Sequence, residues 1–122
     1  FQSDSFDFVL CNHVLEHVYD DELAIKELHR VLKKKGIAIL QVPLNLEISE
    51  TIDGRDIKDG KKRNELFGQY DHLRTYGKDF FKKIESKGFK VKKIRYADNY
   101  TQNEIEKYGL VKDEVIPVCR KI

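Results

Sequence analysis

Two short apolar runs separated by one amphipathic segment constrain this chain more than any other feature. "FDFVLCN", residues 6–12, carries Phe, Val and Leu almost without interruption, as expected of a strand buried on both faces. "IAILQVP", residues 37–43, repeats the pattern and closes on a Pro that cannot join an interior ladder. Between them Ala24, Ile25, Leu28, Val31 and Leu32 recur with helical spacing, and Glu22, Lys26, Glu27 and Arg30 lie opposite. Asp20 or Asp21 can cap that helix, Lys33 to Lys35 suit the negative end of its dipole, and Gly36 can end it. Strand, helix and strand in this order define a right-handed crossover with two parallel strands.

The remainder is less regular. Residues 44–74 form a long, weakly patterned stretch with the charge-dense tract "DGRDIKDGKKRNE" in its middle, expected to be a long loop or a substrate-side insertion. Phe80, Phe81 and Ile84 mark a helix ending at Gly88. "FKVKKIRY" alternates as a half-exposed strand, and Thr101 to Glu104 has the spacing of a capping box before a short helix that Gly109 ends. "EVIPVCRK" gives a last strand whose Pro117 favours a bulge or an edge. The expected fold class is α/β.

The 122 residues suffice for one domain. With 23 basic residues interleaved among 21 acidic ones, net charge is only +2, so no overall field draws the chain to nucleic acid or to a membrane surface. No apolar run reaches the length of a membrane span. Cys11 and Cys119 lack C-x-x-C spacing, a pattern suited to reduced thiols in the cytoplasm. The chain contains no Met, so it is expected to begin inside a longer gene product.

Within "CNHVLEHVYDD", His13, Glu16 and His17 spell H-x-x-E-H, a zinc peptidase pattern when it lies in mid-helix. Here it follows a strand directly, and the helix proper begins only near Asp20. His13 and His17 therefore need not share a helical face, and no metal is expected. In one alternative, Val14, Leu15 and Val18 pack the turn while Glu16 caps it. A second cluster, "QYDHLRTYG", crowds Asp71, His72, Arg74 and Tyr76 into six positions; it suits either a substrate site or a loop anchored by its own polar contacts.

Taken in order, "FDFVLCNHVLEHVYDDELAIKELHRVLKKKGIAILQVP" resembles the second half of a class I S-adenosylmethionine-dependent methyltransferase of the type 11-like group. "YGKDFFKKIESKGFKVKKI" and "VIPVCRK" are similar to that family's last helix and its sixth and seventh strands. The resemblance implies the carboxyl-terminal half of a Rossmann-like fold, strands four to seven with the last antiparallel. S-adenosylmethionine would be the cofactor of the complete protein and a small molecule the methyl acceptor. Asn12, His13 and Val14 would face the cofactor. His17, Asp71 and His72 are the candidate catalytic groups, and Arg74, Tyr76 and Asn45 the substrate-side residues. The family's Gly-rich turn and ribose-binding acid are missing, so the chain alone is expected to be inactive. A non-catalytic interaction module derived from the half-fold is the alternative. In the family the fourth strand lies between the first and the fifth, so Phe6 to Cys11 is expected to form an open edge that favours self-association.

Overall fold

The computed structural model describes residues 1–122. Strand β1 (Phe6–Asn12) leads through a 3-10 turn at Leu15–His17 into helix α1 (Asp21–Val31) and strand β2 (Leu32–Gln41). A two-stranded ribbon, β3 (Ile52–Asp53) with β4 (Arg74–Thr75), brackets helix α2 (Gly60–Phe67). Helix α3 (Asp79–Glu85), strand β5 (Phe89–Ile94), helix α4 (Gln102–Tyr108) and strand β6 (Ile116–Lys121) complete the chain. The main sheet has the order β1-β2-β6-β5. The β1 and β2 strands are parallel, while β6 runs antiparallel to both its neighbours.

Local chemistry explains most boundaries. Asp20 accepts a hydrogen bond from the Leu23 amide and caps α1, which buries Ile25 completely against the sheet. Thr101 and Glu104 form the expected reciprocal capping box, and Gly109 ends α4 in the left-handed region at φ 65°. Pro117 fits because β6 contacts β2 only from Val118 to Arg120. At Pro117 the strand has a single ladder partner, Lys93 of β5, so an amide on the other side is not needed.

Three expectations need correction. First, α1 ends at Val31, and Lys33 to Lys35 lie at the start of β2 instead of at a helix end. The β1–β2 register jumps from Phe6 opposite Leu32 to Phe8 opposite Ile37, so Lys33 to Lys35 bulge outward while Gly36 stays buried. Gly36 does not cap the helix. It permits close approach, since a Cβ there would lie 3.2 Å from the Asp7 carbonyl oxygen. Second, residues 44–74 are more than a loop, for they contain β3, α2 and the first residue of β4. Third, β1 is not buried on both faces: Phe8 is 52% and Leu10 60% exposed.

The last correction follows from layering. The core joins Cys11, Ala38, Leu40 and Cys119 of the sheet to Ile25 of α1 and Phe80 and Ile84 of α3. Helices thus cover one face of the sheet, and Phe8, Leu10 and Ile37 project from the other. No helix is long and apolar enough to cross a membrane.

Candidate active site

The site is built where β1 and β2 end side by side, the position at which open α/β sheets bind ligands. Asn12 sits opposite Gln41, and the His13 amide donates to the Gln41 carbonyl at 2.9 Å. His13 has φ 52°, a left-handed conformation that turns the chain sharply off the strand. Asn12, His13 and Val14 are all exposed on this turn. Beside them a cleft of about 370 Å³ is bounded by His13, Val42, Pro43 and Leu44 on one side and by Val111 and Glu114 on the other.

The segment 69–77 is fastened directly onto the turn. The Leu73 amide donates to the Glu16 carbonyl at 2.8 Å. Arg74, 1% exposed, donates from Nη1 to the carbonyls of Leu15 (2.8 Å) and Val18 (2.6 Å) and from Nη2 to that of Tyr19 (2.9 Å). Its Nε lies 3.5 Å from Asp53 Oδ2 and 3.9 Å from Asp21 Oδ2. One planar guanidinium therefore satisfies the exposed carbonyls of an irregular turn, a geometry that Lys cannot match.

This placement brings His17, Asp71 and His72 together. His17 Nδ1 lies 3.2 Å from the Asp71 carbonyl oxygen and 3.4 Å from Asp71 Oδ2. The His17 and His72 rings meet edge to face at 4.8 Å. His17 remains partly exposed and His72 is buried. An imidazole oriented at Nδ1 by a carboxylate or carbonyl, with Nε2 free, can accept a proton from a bound ligand.

Arg74 and Tyr76 have different duties from those expected of substrate ligands. Four of Arg74's five N–H donors are committed within the fold. Tyr76 is fully buried, and its hydroxyl donates to Asp21 Oδ2 at 2.9 Å. Burial, reinforced by the Asp21 charge, raises the Tyr76 pKa well above the ordinary tyrosine range, so this hydroxyl stays protonated. Lys83 Nζ also binds Asp21 Oδ2 at 2.8 Å. Asn45 is exposed, and its side chain accepts from the Glu47 amide at 3.0 Å, which makes it a turn former.

Two acids have duties that the sequence does not show. Asp21, read only as a possible cap, anchors the buried Tyr76, Lys83 and Arg74 group. Glu16 caps nothing: it is 1% exposed and neither carboxylate oxygen has a hydrogen-bond partner. A hint for Asp21 lies in the sequence, where two adjacent acids begin a helix that needs one cap.

Comparison with known proteins agrees with the geometry. The family model described as "Methyltransferase domain" matches residues 1–40. A search of curated proteins finds no match. Among solved structures, an S-adenosylmethionine-dependent methyltransferase from Mesorhizobium loti superposes with TM-score 0.60 at 17% identity, over 99% of this chain and 64% of that one. A proposed methyltransferase from Bacillus halodurans gives TM-score 0.58 at 18% identity, over 99% and 72%. The 4+2 cyclase SpnF gives TM-score 0.58 at 18% identity, over 99% and 51%. The chain is thus an α/β protein with the fold of class I methyltransferases. Its resemblance to the S-adenosylmethionine-dependent family rests on a sequence match at residues 1–40 and a shared fold along almost the whole chain.

Proposed function

We propose that this chain is the carboxyl-terminal portion of a class I S-adenosylmethionine-dependent methyltransferase acting on a small-molecule acceptor. The observation that carries the reading is the junction of the Asn12–His13 strand-end turn with the His17, Asp71 and His72 cluster. When bound, S-adenosylmethionine would supply an electrophilic methyl carbon. The residues present fit one side of that cofactor: the exposed residues Asn12, His13 and Val14 would hold its methionine end.

The chain's own groups then do two things. The cleft beside His13, Val42 and Leu44 would hold the acceptor next to the strand-end turn, and alignment there would lower the barrier. His17, held at Nδ1 by Asp71, receives the acceptor's proton at Nε2 where the acceptor must lose one. Arg74 acts through position, fixing the turn that carries His17.

SpnF, named as a cyclase, has the same fold, so the fold alone does not dictate methyl transfer. A non-catalytic interaction module is the second reading. Calorimetry with S-adenosylmethionine checks the first. Because the chain contains no Gly-rich turn, the expected dissociation constant is about 1 mM or weaker, about 4 kcal/mol of binding free energy. Micromolar affinity would overturn the portion reading by showing a complete cradle. The absence of any heat at tens of millimolar would favour the interaction module.

A further inference from the structure

Glu16 has the surroundings of a metal ligand. A carboxylate withdrawn from water without hydrogen bonds is strongly destabilising unless a positive charge compensates it. Both Glu16 oxygens lack hydrogen-bond partners, yet the residue is 1% exposed, with only the imidazoles of His13 and His17 within 4.0 Å of Oε1 to offset its charge. His17 Nε2 faces Oε1 at 4.0 Å. The other ring nitrogen, Nδ1, lies beside two acceptors of Asp71, the carbonyl at 3.2 Å and Oδ2 at 3.4 Å, and so carries the ring proton. In the neutral ring Nε2 then presents a lone pair toward a carboxylate, an arrangement that calls for a cation between them. An imidazole held through its far nitrogen by a carboxylate or carbonyl is also the usual support of a metal-bound His.

The third donor comes from the other segment. One ligand atom each from Glu16, His17 and His72 lies within 4.8 Å of the others. Bonds of about 2.0–2.2 Å to a tetrahedral ion bring donors closer than that, so binding requires a small contraction of side chains. Partly exposed His17 gives the ion a way in. His13 Nδ1 lies 3.3 Å from Glu16 Oε1 without forming a hydrogen bond. It stands outside the three-residue cluster, with its own side chain 55% exposed.

We propose that Glu16, His17 and His72 bind one divalent transition-metal ion of the zinc type, leaving a coordination position open. Two nitrogens and one carboxylate are the donor set of open metal sites. The set differs from the H-x-x-E-H reading, since His72 takes the place of His13 and the residues come from two segments. The ion and an acceptor's proton would compete for the same His17 Nε2 lone pair, so the base role of His17 belongs to the metal-free chain; the proposal is read out by binding to the chain itself.

The test uses the 122-residue chain and cobalt(II), whose visible absorption reports coordination geometry, with zinc as competitor. One equivalent should bind, producing visible bands that zinc abolishes. Glu16→Gln and His72→Ala should each weaken binding at least about tenfold, and Asp71→Asn, which loosens the support of His17, by roughly tenfold. His13→Ala should leave affinity within about twofold. Should Glu16→Gln or His72→Ala fail to fold by circular dichroism, His17→Gln at the partly exposed position serves in its place. No visible bands at millimolar cobalt, or binding lost with His13→Ala and retained with His72→Ala, would overturn the proposal.

Discussion

Arg74 donates to three carbonyls of one turn while shielded from water, so its removal leaves several buried acceptors unpaired. Arg74→Lys keeps the charge and loses the fork. It is expected to lower unfolding free energy by about 3 kcal/mol in urea denaturation. A loss under about 0.5 kcal/mol would show that water or Lys83 takes over. Cys119 gives a second prediction at this scale: it is fully buried, and desolvation, aided by Glu85, pushes its thiol up to about 12. Cys11 is raised by burial and by Glu16. Both thiols are free, and both should resist alkylation at pH 8 in the native chain and react promptly once it is unfolded. Rapid native labelling of Cys119 would contradict the packing. The sequence marks His17, Asp71 and His72 as candidates because each cluster carries visible chemistry. It hid the duties of Arg74 and Asp21, since which donors meet which carbonyls depends on segments more than fifty residues apart.

Elements whose apolar residues face the core were legible, because burial imposes a period on the sequence. The helix α1 shows this through Ile25 and Leu28, and α3 through Phe80 and Ile84. By contrast α2 buries no residue and leaves no such trace. It is held at its ends, where Asp59 accepts from the Lys61 amide and Gly68 closes the last turn at φ 78°. The start of β2 leaves no trace for a related reason, since Lys33 to Lys35 fall outside the β1–β2 register and stay exposed. These differences set a prediction. Thr101→Ala removes half of the capping box and should cost about 1 kcal/mol. Asp59→Ala should instead leave global stability within about 0.5 kcal/mol and speed amide exchange in α2 alone, because that helix opens without the core. Equal global losses would show that α2 is part of the cooperative unit.

At the scale of the whole molecule, β1 has one ladder neighbour, and Phe8 and Leu10 stand exposed beside its open edge. We propose that a second copy of the chain pairs there, covering both apolar side chains. Light scattering should report a dimer at high micromolar concentration, and Val9→Pro, which removes one ladder donor, should shift it toward monomer. A monomer unaffected by the substitution would contradict this pairing. The central claim, however, concerns the strand-end turn and the cluster beside it. The most direct test is titration of the isotopically labelled chain with S-adenosylhomocysteine, followed amide by amide in NMR spectra. The predicted result is a set of concentration-dependent shifts at Asn12, His13 and Val14, extending to His17 and His72 and in fast exchange at millimolar ligand. Shifts confined to α4 or to the lysine-rich end of β2, with Asn12 to Val14 unmoved, would contradict it.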